Sequence, residues 1–405
     1  MSVQLKEGIY WVGAIDWKLR NFHGFITPRG GTYNAYLIID EKVTLIDSTK
    51  PEFGPELLRR IREIIDPSEI DYVICNHAEI DHSGSIPSVM AVAPKAKIIT
   101  STKGKAILER HHKQTWEYEL VRTNDELSIG KRTLKFATIP MVHWPDSMVT
   151  YAIEDKILFS NDAFGQQIAT WERFADEMSM DIVMEENQRY YANIVMPFAN
   201  PVKNALKLVG GLECEMIAPA HGVIFRTPEH IAAVLESYRK WSNHEADNRA
   251  VIVYDTMWQS TTKMAEAIQA ACEQLNISYT IHNLSEDNLS LVTHEMMVSK
   301  YVFVGSPVLN NGLMPQVAAF LHYMKGFAPK KKVGMAFGSY GWSAQSAKII
   351  NSTFEKLCWD ILPSIEIDYF PDTEELEAMT ATVIKNLQAD PEQFAHANPG
   401  ECELL

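Results

Sequence analysis

The sequence predicts two successive domains: an α+β domain over residues 1–248, then an α/β domain over residues 249–395 built on a doubly wound parallel sheet. Three observations lead there. The chain has 405 residues, too many for one minimal module at about 150 residues per domain. Its first part alternates short apolar runs with turn residues and amphipathic stretches. A charged, aromatic segment, Tyr238–Asn248, then precedes a fresh start at Ala250, after which strand and helix patterns follow one another regularly. Residues 396–405 read as a frayed tail.

In the first domain Tyr36–Ile39, Val43–Asp47, Tyr72–Cys75 and Lys97–Thr100 are apolar runs too short for helices, so they read as strands. Glu56–Ile65 carries its apolar residues at helical spacing. In the second domain the expected strands are Val251–Tyr254, Tyr279–Asn283, Tyr301–Val304 and Val333–Phe337. The expected helices are Lys263–Leu275, Pro315–Met324 and Ala344–Leu357.

Composition narrows the function classes. A hydrophobic content of 46% with 22% charged residues is that of a globular protein and excludes a disordered or fibrous one. Lys and Arg number 37 against 52 Asp and Glu, a net charge of −15 that repels phosphate backbones, so nucleic acid is not an expected partner. The first residues lack an apolar leader region, and no stretch of about 18 apolar residues occurs. The expectation is a cytoplasmic protein with no membrane partner. Five cysteines, Cys75, Cys214, Cys272, Cys358 and Cys402, are dispersed and offer neither a disulfide framework nor a C-x-x-C knuckle.

The sharpest signal is His77-Ala78-Glu79-Ile80-Asp81-His82, directly after the strand Tyr72–Cys75. Four ligand-type residues in six cannot all face one way on a helix or strand, so the segment is expected to wrap around a cation. Three more ligand-type residues sit at or just beyond apolar runs: His143, Asp162 and His221. Such strand-end positions are where a rigid scaffold presents functional groups. Seven ligands exceed one ion's needs, and the simplest allocation is two ions sharing the carboxylate of Asp162. Two divalent ions, three carboxylates and a bridging hydroxide make a neutral cluster, tolerable in a buried pocket.

The pattern resembles the metallo-β-lactamase fold, whose H-x-H-x-D-H motif is followed by spaced His, Asp and His. Here Glu79 stands for the middle histidine, which is the pattern of the flavodiiron proteins. A hard oxygen donor in place of an imidazole favours iron or manganese over zinc. The resemblance implies an αββα sandwich and two irons per subunit. It assigns His77, Glu79, His143 and Asp162 to one, and Asp81, His82, His221 and the shared Asp162 to the other. It also places His23 as an outer partner near the open face. Tyr190 and Tyr191 are candidate pocket lining, Tyr191 being the one carried as an outer partner of the site. His111 and His112 read as a solvated helix face.

The second domain carries a different signal. Thr256-Met257-Trp258-Gln259-Ser260-Thr261 is a hydroxyl-rich turn between a strand and a helix, and hydroxyls with backbone N–H groups at a helix N-terminus cradle a phosphate. There is no Walker lysine and no G-x-G-x-x-G, which argues against nucleoside triphosphates and dinucleotides. Two further strand-end loops are expected at the same crevice: Ser306-Pro307-Val308-Leu309-Asn310-Asn311-Gly312 and Gly338-Ser339-Tyr340-Gly341-Trp342. Trp258 and Tyr340 offer stacking faces for a flat heteroaromatic ring. This domain resembles flavodoxin, with its phosphate, middle and aromatic loops in order, and the resemblance implies FMN.

Both halves together resemble the flavodiiron proteins over nearly the whole chain. What this implies is reduction of dioxygen to water and/or nitric oxide to nitrous oxide, with a reduced flavin and a diferrous pair supplying two electrons each. Electrons would come from an external donor, a separate rubredoxin or reduced coenzyme F420 (F420H2), since no C-x-x-C pair marks an appended rubredoxin domain. A head-to-tail homodimer, or a dimer of dimers, would bring one subunit's FMN near the other's irons. The competing expectation is a zinc-dependent hydrolase with a regulatory FMN domain, against which Glu79 speaks. A purely electron-carrying flavoprotein would require an inert metal pocket, which the complete ligand set makes superfluous.

Overall fold

A computed structural model describes residues 1–389. The expected tail, the last residues of the second domain and Cys402 lie outside the described residues. Two compact units are present: Met1–His23 with Thr27–Ser242, and Gly24–Ile26 with the chain from Asn243 onward. The division precedes the expected residue 248 because the helix Pro228–Ser242 ends there and the next strand, Asp247–Tyr254, already starts at Asp247. Among the described residues no helix is long and apolar enough to cross a membrane.

The first unit is built on two sheets. The seven-stranded sheet runs in the order Val3–Lys6, Ile9–Trp11, Tyr36–Ile38, Val43–Ile46, Ile70–Ile74, Lys97–Thr100 and Tyr118–Leu120. The five-stranded sheet runs Glu126–Ser128, Thr133–Thr138, Met148–Ala152, Ile157–Asn161 and Met216–Pro219. Strand alternation sends Trp11, Tyr36, Ile46, Ile74 and Ile99 of the first sheet into one buried cluster with Phe136, Met148, Phe159 and Ala218 of the second. The opposite residues of the first sheet, such as Leu37, Leu45, Val73 and Ile98, pack on Leu57 and Ile61 of the helix Gly54–Arg62 and on Val89 and Leu108 of later helices. Beyond the second sheet, Val149 lines one small cavity together with Val202 and Val209 of the helix Ala199–Val209 and Tyr238 of Pro228–Ser242. Helices therefore flank both sheets, the αββα sandwich.

The second unit has a parallel sheet whose first five strands in chain order stand 2-1-3-4-5: Ser278–Asn283, Asp247–Tyr254, Ser299–Gly305, Val333–Tyr340 and Asp360–Ile361. A sixth, Ile365–Asp368, extends the pairing along Val333–Tyr340. This is the flavodoxin-like order, with its ligand crevice at the switch point beside the first strand. Ile252, Phe303, Met335 and Phe337 pack on Met264, Ile268 and Ala271 of the helix Ser260–Gln274 and on Met379 and Val383 of Thr373–Gln388. Val251, Val253, Val302 and Val304, on the other face, are equally buried. The helices Leu289–Val298 and Thr373–Gln388 were not among the expected elements. The former buries Val292, Thr293, Met296 and Met297 and so shows no polar stripe to mark its period.

Candidate metal and flavin sites

All seven candidate ligands stand at or beyond the ends of strands in the first unit and all are shielded from solvent, with His77 and His221 wholly buried. The segment after Ile70–Ile74 does wrap: Glu79 is extended, and Ile80–Ser83 closes a helical turn through Ser83 N–H to the Glu79 carbonyl at 2.8 Å. That change of direction turns His77 and Glu79 one way and Asp81 and His82 another. His77, Glu79, His143 and Asp162 bring ligand atoms within 4.8 Å of one another, as do Asp81, His82 and His221.

Asp162 joins the two groups. Its Oδ2 lies 3.6 Å from His77 Nε2 and 3.5 Å from His143 Nε2, while its Oδ1 lies 3.0 Å from His82 Nε2 and 3.2 Å from His221 Nε2. Despite this crowding, both oxygens of Asp81, Oδ2 of Asp162 and Nε2 of His82 and of His221 make no hydrogen bond. Buried polar atoms are normally satisfied. Converging unsatisfied nitrogen and carboxylate donors, split around a shared carboxylate, fit a pair of divalent ions.

The electrostatics agree. Burial pulls the imidazoles down, but Asp162 with Glu79 holds His143 up at about 9, and Asp162 with Asp81 holds His221 up at about 10. Burial pushes Glu79 and Asp162 up, yet the surrounding histidines hold both well below the carboxylate range. The carboxylates are ready to bind a cation, and the histidines release protons when they do.

In the second unit the three loops do line one cleft of about 700 Å³. Thr256, Met257, Trp258 and Ser260 come from the first loop, Pro307–Asn311 from the second and Ser339–Trp342 from the third. The helix Ser260–Gln274 points its N-terminus at the cleft, and the Thr256 hydroxyl is buried without a partner, as a phosphate cradle requires. Trp258 and Trp342 stand 81% and 90% exposed, large apolar faces that a bound ring would cover.

Residues 32–222 match the model of the ODP family beta lactamase, and residues 252–381 match that of flavodoxin. The nitric oxide reductase of Moorella thermoacetica is 40% identical over 93% of this chain and 95% of its own. The rubredoxin-oxygen oxidoreductase of Megalodesulfovibrio gigas is 39% identical over 96% of this chain and 98% of its own. The crystal structure of the flavodiiron protein from Giardia intestinalis superposes with a TM-score of 0.93, at 33% identity, covering 100% of this chain and 98% of that one. The chain is a flavodiiron protein. It is therefore an oxidoreductase whose cofactors are FMN and a non-haem diiron pair.

Within this flavodiiron protein the outer partners differ from expectation. Tyr190, not Tyr191, reaches the metal pocket: its hydroxyl donates to Asp162 Oδ1 at 2.9 Å. The next residue on the helix points elsewhere, and Tyr191 packs against Tyr238 and Trp241, ring centroids 4.9 and 5.1 Å away. His23 does stand at the site, with Nε2 3.0 Å from Glu79 Oε1 and its side chain 41% exposed. His111 and His112 are not a purely solvated face. His111 Nδ1 lies 3.1 Å from the Ala78 carbonyl and His112 Nε2 3.3 Å from the Ser83 hydroxyl, so their helix holds the ligand segment from outside.

At the cleft, Gln259, Thr261, Ser306, Gly312 and Gly338 stand in the three loops behind the side chains that line it. Gln259, at φ 69, is the turn into the helix, and Thr261 faces the Ser339 hydroxyl. Ser306 bonds within its own loop, donating to the Pro307 carbonyl and accepting from Met314 N–H. Gly312 pairs with the Leu309 backbone to close the turn through Asn310 and Asn311, both at positive φ. A Cβ on Gly338 would meet the Ser306 carbonyl oxygen at 2.3 Å, so this glycine serves close strand approach. Ser343, Tyr369 and Phe370 line the cleft without having been anticipated. The last two follow the unexpected strand Ile365–Asp368, so only its recognition would have revealed them.

Proposed function

We propose that this flavodiiron protein is a cytoplasmic enzyme that reduces dioxygen to water and/or nitric oxide to nitrous oxide, in a head-to-tail homodimer fed by an external donor, rubredoxin or F420H2. The observation that carries the reading is the placement of the two oxygens of Asp162 toward two separate ligand groups. The relatives' names supply both substrates: one is a nitric oxide reductase and another a rubredoxin-oxygen oxidoreductase. The ligand assignment proposed is His77, Glu79, His143 and Asp162 for one iron, and Asp81, His82, His221 and Asp162 for the other. FMN would lie in the three-loop cleft of the second domain, the domains dividing near residues 242–248.

When bound, two adjacent redox irons and a reduced flavin supply electrons for gas reduction that zinc could not. The chain's own residues prepare the pocket. Tyr190 holds its hydroxyl proton on Asp162 Oδ1, orienting the shared carboxylate. His23 engages Glu79 Oε1, which leaves Oε2 turned to His77 and His143 at 3.3 and 3.2 Å. Both gas reductions consume protons, and His23, half-exposed and hydrogen-bonded to a ligand, stands where a proton can pass inward. The test is anaerobic reduction followed by titration with each gas while FMN absorbance is recorded. Rapid reoxidation by at least one of the two gases is expected; a fully reduced, iron-loaded enzyme that neither gas reoxidises would end the proposal.

A further inference from the structure

Behind the metal pocket the two ligand groups are supported unequally. His77 Nδ1 lies 3.1 Å from Asp146 Oδ2, and the same oxygen accepts the Ala78 N–H at 2.7 Å. Asp146 is 1% exposed, its Oδ1 has no hydrogen-bond partner, and among the described residues no Lys or Arg pairs with it. The edge of Trp144 closes over His77, with centroids 5.0 Å apart at 78°. In the other group no carboxylate bonds an imidazole from behind: His221 Nδ1 meets the Thr32 carbonyl at 2.7 Å, and His82 Nδ1 makes no hydrogen bond, the buried Asp47 acting on His82 by charge alone.

A buried carboxylate is costly unless a cation compensates it. Here the imidazole of His77, and through it whatever cation Nε2 holds, is the compensation. The carboxylate fixes the proton on Nδ1, frees Nε2 for a metal and makes the ring more basic. A backbone carbonyl also fixes the tautomer but adds no charge.

We infer that Asp146 is a positioning residue that makes the two halves of the metal centre unequal, securing the ion held by His77, Glu79 and His143 more firmly than the ion held by Asp81, His82 and His221. This rests on the two-ion reading proposed above. Removal of Asp146 therefore weakens one ion and spares the other.

The experiment uses the full-length, FMN-loaded protein reconstituted with iron under anaerobic conditions and challenged with graded chelator. Asp146→Ala is expected to weaken one of the two irons by about 10–100-fold, the usual effect of losing an outer partner, with the second iron and FMN retained. Asp146→Asn keeps an acceptor for both N–H groups and loses only the charge, so the same iron should weaken by about 10-fold. Mössbauer spectra identify the survivor: it should match the iron left in His77→Ala and differ from that left in His221→Ala. Retention of both irons at wild-type affinity in Asp146→Asn, or equal weakening of both, would overturn the inference. Should Asp146→Ala fail to fold, Asp146→Asn decides alone. A wild-type protein that never binds two irons would instead sink the two-ion reading itself.

Discussion

The two cofactor sites of this chain are built by opposite means. The candidate metal pocket gathers seven ionisable side chains, all shielded from solvent, whose charges are balanced against one another and suit a cation. The flavin cleft gathers exposed aromatic faces, hydroxyls and backbone, and no ionisable group among its lining apart from two tyrosines. The first arrangement is all interdependence, since removing one group leaves others buried and unbalanced. The second is a sum of nearly independent contacts. Substitutions should accordingly be catastrophic in one site and graded in the other.

The severest test is Asp162→Ala. It strips both ligand groups of their shared carboxylate and leaves the histidines around it with one counter-charge fewer. Loss of both irons and of all gas reduction is expected, with FMN content unchanged. An Asp162→Ala protein that retained a diiron spectrum would break the contrast outright.

Next in size is a buried charge away from both sites. Lys332 is 1% exposed, and its ammonium donates to the Met297 and Ser299 carbonyls at 2.6 and 2.8 Å. Burial, only partly offset by the charge of Asp247, pulls it down to about 7. The unfolded chain, with the ordinary lysine value near 10.4, binds one proton more between those limits. Stability should therefore rise with pH from about 7 to about 10.4, by on the order of a few kcal/mol, and stay flat with respect to this group below 7. Lys332→Met should abolish that rise, measured as the pH dependence of denaturant-induced FMN release. A wild-type slope in the variant would show that the lysine stays charged throughout.

How much of this was legible in the sequence follows the same contrast. The proposed ligands stand out because each is an ionisable residue at or just beyond an apolar run, a local signal. Asp146 sits in the same turn as His143, yet its role depends on meeting a histidine 69 positions earlier, which no local pattern announces. Tyr190 and Tyr191 are adjacent on one helix and could be separated only by knowing which face met Asp162. In the flavin domain the loops were found from topology, because the strand ends of such a sheet define the crevice before any residue is chosen. Within those loops the residues divide the work: Gly338 and Ser306 shape the backbone, while Tyr369 and Phe370 follow the four-residue strand Ile365–Asp368, too short to stand out as an apolar run.

The graded behaviour of the cleft can be measured at Trp258. An aromatic stack contributes about 0.5–1.5 kcal/mol beyond the area it buries. Trp258→Ala should weaken FMN by about 10-fold, reversible by added FMN, with iron content untouched. A drop in iron content would show that the two sites are less separable than their chemistry indicates.

The smallest expected effect lies where the metal pocket meets ordinary surface. His111 touches the ligand segment through one hydrogen bond to the Ala78 carbonyl, from a position that is itself exposed. A single such bond is worth about 0.5–1.5 kcal/mol net. His111→Ala should cost about that much in stability and leave both irons in place, because the carbonyl it abandons also accepts the Ser83 hydroxyl at 2.8 Å. That second acceptor contact separates support from necessity: Asp146 has no substitute behind His77, whereas His111 shares its carbonyl with Ser83. A His111→Ala protein that lost iron would mean that the outer helix, and not the loop's own bonds, fixes the ligands.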